Sequence, residues 1–485
     1  MNISAKIAHN TIIQVAGKII ASILSLIALM LMTRYLGPAG FGEYTTAFTF
    51  VSIFAICADF GLTLVTSRLL SVPGADEKKI INNLFGLRIV LALGLVGLAP
   101  FFVFALPYSR TIQLAVLIGS IAFVFPLLNQ VFVGYFQKNL NLFYVALAEV
   151  LNRVVFLIAV IISIRSNFGL IGMMTGLSVA ALLSFLVHFY FINKKTRIQV
   201  AWDFTYWKEI LKISWPLAIT IIFNLIYLKA DTFLLSLLKS QEEVGLYGAA
   251  YRIVEVLSSL PFIFAGLILP ILSAAWFSSD QIRYKKVLQK SLDLTIIAIF
   301  PLIIGGQFLA NGIISIVAGK EYAGAGVILQ ILLIAVGLIF TSCLFTHAVI
   351  AIDKQKKIIG AYIFTGVSSL ALYLLLIPRY SYYGAAIGTV YSELAITVAA
   401  IYIVYRYSDF QPNLKIVPKV LGSSLIMTAF LLIIPSHFRN SHLGTITLIV
   451  AAGIVYLLSL YLIKGINSSD LNAILNKKNN SELNV

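Results

Sequence analysis

The chain has 485 residues, of which 60% are hydrophobic and only 11% charged, with a mean hydropathy of +0.98. Soluble domains carry about 25% charged residues, and disordered chains lack the apolar surface that offsets ordering entropy; both classes are excluded, and an integral membrane protein remains. The 35 basic residues outnumber the 19 acidic ones, a formal charge of +16, but they sit between apolar runs, so a membrane accounts for them and nucleic acid is not a predicted partner.

A crossing needs about 20 mostly apolar residues to pass about 30 Å of hydrocarbon. Fourteen such runs occur, at 11–33, 43–67, 82–106, 111–135, 142–164, 169–192, 213–238, 244–275, 290–318, 324–351, 357–377, 383–405, 417–435 and 443–463. The first leads into Thr33-Arg34-Tyr35-Leu36-Gly37 rather than a small-residue cleavage site, so it is read as a retained span. It carries Asn10, Gln14, Lys18, Ser22 and Ser25 at steps of four and three, one polar stripe on an apolar helix. Span two carries Thr45, Thr49, Ser52, Asp59, Thr63 and Thr66 on a comparable stripe, with Asp59 roughly 13 Å from Arg68 along the helix. In span five Glu149 and Arg153 are spaced i,i+4 with the acid first, the favourable order for a pair.

The longest internal connection, 194–212, holds Lys194, Lys195, Arg197, Trp202, Trp207 and Lys208 and reads as an amphipathic interfacial linker. In span seven Thr220, Asn224 and Tyr227 continue to Asp231, whereas Lys229, two positions from Asp231, lies about 160° round the helix. Only one of the two faces a cavity from a regular helix. Span eight has Arg252 and Glu255 at i,i+3, beside Tyr251, Ser258 and Ser259. Asp293 and Glu393 are isolated acids, and His188 and His347 lack ligand spacing. Cys57 and Cys343 lie inside apolar segments, so neither a disulfide framework nor a metal site is expected. Pro126, Pro261 and Pro301 fall inside spans and free backbone carbonyls there.

With the N-terminus inside, 24 basic residues fall on inside flanks and tails, seven on outside connections (Arg34, Arg110, Arg165, Lys239, Lys320, Arg379, Arg439) and four within spans. The inside set includes Arg68, Lys78, Lys79 and Arg88. This asymmetry recurs at each connection, as the positive-inside rule demands, and one missed span would invert everything after it. Both termini and the 194–212 linker are therefore expected in the cytoplasm.

Phe41-Gly42-Glu43-Tyr44-Thr45-Thr46-Ala47-Phe48 resembles Val244-Gly245-Leu246-Tyr247-Gly248-Ala249-Ala250-Tyr251, and Phe168-Gly169-Leu170-Ile171-Gly172 resembles Tyr383-Gly384-Ala385-Ala386-Ile387. The offsets, 203 and 215, both equal six spans. An even-numbered repeat keeps its orientation and places a substrate site between its halves.

Three motifs carry a family resemblance: Arg34-Tyr35-Leu36-Gly37-Pro38-Ala39-Gly40-Phe41-Gly42-Glu43-Tyr44, Asp59-Phe60-Gly61-Leu62 ahead of Arg68, and Ala230-Asp231-Thr232-Phe233 followed by Glu243 to Arg252. Together they resemble the polysaccharide-transport (O-antigen flippase) branch of the multidrug/oligosaccharidyl-lipid/polysaccharide exporter superfamily. The resemblance implies an all-α membrane fold of 14 transmembrane helices. Two six-helix lobes, at 1–193 and 213–406, would flank the 194–212 linker around a cavity lined by spans one, two, seven and eight. Spans thirteen and fourteen at 407–464 and a cytoplasmic tail at 465–485 follow. It also implies a polyprenyl-pyrophosphate-linked oligosaccharide as substrate, moved across the cytoplasmic membrane.

Charges within hydrocarbon are costly and face a bundle interior or a water-filled cavity. Lys18 is read as an anion-binding charge, the alternative being a lysine that snorkels to the inner face. Arg252 suits bidentate phosphate contact. Arg68 and Arg88 near the cytoplasmic mouth, and Gln14 on the span-one stripe, complete the expected substrate-binding set. Asp59, Asp231 and Glu255 are the candidates for ion coupling, with Asp59 expected to trade its charge with Lys18; a structural role for Asp59 is the alternative. Glu149 and Arg153 are expected to neutralise one another.

No G-x-x-x-x-G-K-[ST] run occurs, and Gly319-Lys320-Glu321-Tyr322-Ala323-Gly324-Ala325-Gly326 lacks its order, so no nucleotide or other cofactor is expected. The outside connections are about ten residues or shorter, too little for a catalytic constellation. Taken with the family resemblance, which implies the cargo, the sequence reads as a lipid-linked oligosaccharide flippase and not an enzyme. Its expected partners are membrane lipid, the lipid-linked glycan and glycan polymerase or ligase machinery. A multidrug extruder of the same fold is the first alternative, disfavoured by a basic cavity; an envelope-assembly enzyme or scaffold is the second.

Overall fold

The computed structural model describes residues 3–72, 74–435, 438 and 441–465. Among them the chain is helical without strands, as hydrocarbon demands of segments that must satisfy their own backbone donors and acceptors. The helices are α1 (Ile3–Asp59), α2 (Leu62–Leu70), α3 (Glu77–Leu91), α4 (Gly97–Phe104), α5 (Arg110–Lys138), α6 (Leu142–Arg165), α7 (Gly169–Asn193) and α8 (Phe204–Leu238). They continue with α9 (Gln241–Phe277), α10 (Gln281–Val317), α11 (Ala325–Ala351), α12 (Ile359–Ser408), α13 (Ile416–Ile433) and α14 (His442–Leu462). Arg439 and the expected tail beyond Gly465 lie outside the described residues.

Among the described residues, twelve helical runs are long and apolar enough to cross a membrane. Two are long enough to cross twice: Ile12–Leu70 has 59 residues and Ile359–Ser408 has 50, against about 20 for one crossing. Each is broken near its middle, α1 at Gly37 (φ 65°, ψ 177°) ahead of Pro38 and α12 at Ser381 (φ 51°, ψ −132°). Glycine adopts the positive φ at Gly37 without a Cβ penalty. The breaks fall between expected spans one and two and between eleven and twelve, so the twelve runs accommodate fourteen crossings.

Span two is broken again lower down. Phe60 (φ 47°) and Gly61 (φ 78°) separate α1 from α2, and Ser214 of α8 donates to the Phe60 carbonyl that the break frees. Span three is interrupted by a π-turn at Ala92–Val96. Pro100 follows four residues after Val96 and cannot donate to its carbonyl.

Two compact units emerge from the packing: Met1–Arg252 with Val317–Tyr322 and Ile359–Ser392, and Ile253–Ile316 with Ala323–Ile358 and Glu393–Val485. In the first, α5, α6 and α7 pack on one another and α1 lies against α5, α6 and α8. Small residues allow the close approaches: a Cβ on Gly176 would lie 2.5 Å from that of Ala159, and one on Gly17 2.8 Å from that of Ala146. In the second unit α13 packs on α14. There Gln307 and Gln330 tie α10 to α11, each side-chain amide donating to the other's backbone carbonyl at 3.1 and 2.7 Å.

Candidate functional site

The two copies of the repeated motif lie against each other within the first unit. A Cβ on Gly42 would sit 1.6 Å from the carbonyl oxygen of Gln241, and one on Gly245 1.9 Å from that of Pro38. Adding the offset of 203 converts Pro38 into Gln241, Gly42 into Gly245 and Thr45 into Gly248. The contact is therefore reciprocal, as at a two-fold axis. Gly248 meets its own equivalent, a Cβ there lying 2.7 Å from Thr45 Oγ1. Thr46 Oγ1 adds a hydrogen bond to Gln241 Oε1 at 2.7 Å.

Asp59 pairs with Arg88 of α3 at 3.0 Å, and the arginine side chain is 1% exposed. Arg88 Nη1 donates to the Leu127 carbonyl at 2.9 Å and Nη2 to Thr63 Oγ1 at 3.0 Å, while Thr63 Oγ1 donates to Asp59 Oδ1. Two charges expected to act apart, one with Lys18 and one at an open mouth, are thus joined across the Phe60-Gly61 break. Arg88 Nε has no partner in this buried setting. Arg88 lies seven residues into expected span three, and that depth was the signal for an intramembrane cation close to Asp59.

Asp231 is fully buried, accepting from Tyr247 Oη and the Thr232 amide at 2.6 Å each and from Thr389 Oγ1 at 3.2 Å. Desolvation makes such bonds obligatory for a carboxyl group. The face of α8 expected to open on a cavity through Asp231 instead knits α8 to α9 and α12. Lys229 sits on another side of the helix, with Nζ 5.5 Å from the centroid of the Tyr251 ring, and the Tyr251 hydroxyl donates to the Leu228 carbonyl at 3.3 Å. The Arg252 guanidinium stacks on Phe48 of span two at 4.5 Å, a cation–π contact. Thr389 escaped the sequence reading; Tyr247 and Phe48 belonged to the two copies of the repeat motif and Thr63 to the span-two stripe, none of them with a role assigned.

The span-one stripe divides. Asn10 is buried and accepts from the Leu142 amide at 2.9 Å, capping α6, whereas Gln14, Lys18 and Ser22 are half-buried. Arg68 is exposed near the end of α2. The span-two stripe is a packing surface rather than a cavity wall. Thr45, Thr49, Ser52 and Thr66 are buried, and the Thr45 and Thr66 hydroxyls return to carbonyls one turn back at 2.8 and 2.6 Å. Glu255 lies in the second unit, half-buried. Glu77 pairs with Lys138 as Asp59 does with Arg88; the neutralisation expected of Glu149 with Arg153 does not form, although the spacing allows it. His188 Nδ1 faces the Ser184 carbonyl at 3.0 Å and His347 Nδ1 the Cys343 carbonyl at 2.7 Å.

Long broken helices, a reciprocal repeat contact and charges held within apolar bundles define a polytopic α-helical membrane protein. The family model described as polysaccharide biosynthesis protein matches residues 7–276, more than half of the chain, and the chain belongs to that family. A Shigella flexneri protein named for O-antigen transport is 23% identical over 396 residues, spanning 79% of this chain and 94% of its own. The Staphylococcus aureus capsular polysaccharide biosynthesis protein CapF is 21% identical over 397 residues, spanning 80% and 97%. Among solved structures, the lipid II flippase MurJ in its inward closed conformation superposes with a TM-score of 0.78, 19% identity and coverage of 96% of this chain and 99% of its own. An inward-facing multidrug resistance MATE family transporter superposes at 0.64, with 15% identity and coverage of 82% and 98%. These likenesses show that the chain shares the fold of those two structures.

Proposed function

We propose that the protein is a flippase that moves a polyprenyl-pyrophosphate-linked oligosaccharide across the cytoplasmic membrane during polysaccharide biosynthesis, by alternating access between two six-span lobes. It is a transporter rather than an enzyme, with both termini in the cytoplasm, and it delivers its cargo to glycan polymerase or ligase machinery. The observation that carries this reading is the pair of intramembrane cations on expected cavity helices, Lys18 half-buried on span one and Arg252 on span eight, in a chain of the polysaccharide biosynthesis family. Polysaccharide-related relatives that align over about four fifths of the chain support it.

In this reading Lys18 and Arg252 hold the pyrophosphate, Gln14 adds a hydrogen-bonding group beside Lys18, and exposed Arg68 attracts the head group at the cytoplasmic side. Arg88 joins them only when released from Asp59, which makes Asp59 the proposed coupling carboxylate; Asp231 and Glu255 are the remaining candidates. A multidrug extruder with cationic cargo would need a free acidic cavity. Asp59 is neutralised by Arg88 and Asp231 is sealed by Tyr247 and Thr389, which weighs against that alternative.

Charge-assisted bonds contribute on the order of 1.5–3 kcal/mol each, so Lys18→Ala and Arg252→Ala should each slow glycan export roughly ten- to hundredfold while inserting normally. Normal export by both variants would overturn the assignment. In vesicles with an imposed proton gradient, Asp59→Asn should flip slowly with or without the gradient; a variant that keeps both rate and gradient dependence would move the coupling site elsewhere.

A further inference from the structure

The stretch between the end of α7 and the crossing part of α8 is built as a rigid plate. Residues 197–203 are not helical and lie along the start of α3. The Gln199 amide donates to Asn82 Oδ1 at 3.0 Å, the Ala201 amide to the Asn82 carbonyl at 3.3 Å and the Asp203 amide to Asn83 Oδ1 at 3.3 Å. Gly86 makes room for this, since a Cβ there would stand 2.5 Å from the Ala201 carbonyl oxygen. Trp207 anchors the plate in a core with Leu62, Ile81, Leu84 and Phe132.

The outer side of the plate is apolar and exposed. Trp202 and Phe204 pack against Trp207, tilted and edge-on, with ring centroids 5.6 and 5.2 Å apart, yet remain 56% and 70% exposed. Their orientation is fixed from beneath, so the exposure belongs to the folded state. Around them the basic residues Lys78, Lys79, Lys194, Lys195, Arg197, Lys208 and Lys212 are all exposed. The neighbouring acids are fewer. Asp76 and Asp203 accept from the Lys79 and Tyr206 amides at 3.0 Å each, capping α3 and α8, and Glu77 pairs with Lys138 at 2.5 Å; with exposed Glu209 they offset only part of the seven cations.

We propose that residues 194–215 dock anionic phospholipid head groups, with Trp202 and Phe204 seated at the boundary of head groups and acyl chains and Arg197, Lys208 and Lys212 on lipid phosphate. The position between two crossings sets the plate at the membrane surface, where indole and phenyl rings are favoured. An aromatic belt alone would not distinguish zwitterionic from anionic lipid. The one-sided charge does, at about fivefold for each cation that engages the anionic surface. The inference concerns the lipid around the protein and is independent of which cargo is flipped.

Tryptophan fluorescence tests it. The four tryptophans are Trp202, Trp207, Trp215 and Trp276, so the difference between wild type and Trp202→Phe isolates Trp202. In nanodiscs, brominated phosphatidylglycerol should quench the Trp202 signal at a mole fraction at least fivefold lower than brominated phosphatidylcholine. The triple variant Arg197→Gln/Lys208→Gln/Lys212→Gln should lose that preference while keeping quenching by both lipids, which also shows that the plate still folds. Equal quenching by the two lipids in wild type would reduce the plate to a non-selective belt and overturn the proposal. So would a Trp202 signal that neither lipid quenches, the outcome expected of a surface reserved for a protein partner, or a triple variant that keeps the preference.

Discussion

Replacing Gly42 with alanine puts a methyl group 1.6 Å from the Gln241 carbonyl oxygen, and replacing Gly245 puts one 1.9 Å from that of Pro38. Carbon–oxygen contacts close to about 3.3 Å, so either variant must part the two backbones by roughly 1.5 Å. Both obstacles are main-chain atoms, which do not swing aside as a side chain does, and overpacking of this kind costs about 1–3 kcal/mol. The reciprocal geometry adds a sharper consequence. The first alanine opens most of the space that the second needs, so the double variant should cost little more than either single one, a coupling expected of sites in direct contact. Thermal unfolding of the two single variants and the double variant in detergent measures this. A disulfide between Thr45→Cys and Gly248→Cys, in a chain lacking Cys57 and Cys343, reports the contact itself, and either alanine should lower its yield. Fully additive costs, or a cross-link unaffected by both alanines, would refute a shared reciprocal contact.

Other outcomes follow from the buried charges and from the basic residues. Arg88→Met leaves Asp59 without its cation and should cost about 3–5 kcal/mol, most of it recovered when Asp59→Leu is added; a double variant as unstable as the sum of the singles would contradict the pairing. Tyr247→Phe removes one of three donors to a fully buried carboxyl group and should destabilise by about 1–3 kcal/mol in the same unfolding assay. Reporters fused after Lys212 and at Val485 should both report cytoplasm; an outside signal from either would invert the topology.

The apolar runs were legible because hydrocarbon permits little besides helices of a set length, and the doubled lengths of the runs broken at Gly37 and Ser381 match that reading. The repeat offset of 203 was legible too, but that Gly42 and Gly245 meet each other's copy of the motif was not, since resemblance between two segments says nothing of contact between them. The orientation of span seven was not legible. Periodicity places Asp231 and Lys229 on opposite sides but does not say which side is buried; that depends on Tyr247 and Thr389, 16 and 158 residues away in sequence. The hydroxyl stripe of span two misled for a related reason. Threonine and serine satisfy themselves on the carbonyl one turn back, so a polar stripe of that composition packs as readily as an apolar one. Asp59 and Arg88 were each noticed, but their union depends on a break at Phe60-Gly61 that periodicity does not announce.

The central claim, that intramembrane cations carry an anionic lipid-linked head group across the bilayer, is tested most directly in liposomes. Purified protein is reconstituted with a fluorescent short-chain polyprenyl-pyrophosphate oligosaccharide, and arrival in the opposite leaflet is read by a membrane-impermeant quencher. Wild type should equilibrate the lipid far faster than protein-free liposomes, and Lys18→Ala and Arg252→Ala, reconstituted to equal density, should each do so at least tenfold more slowly. Equilibration no faster than in protein-free liposomes, or wild-type rates from both variants, would contradict the account.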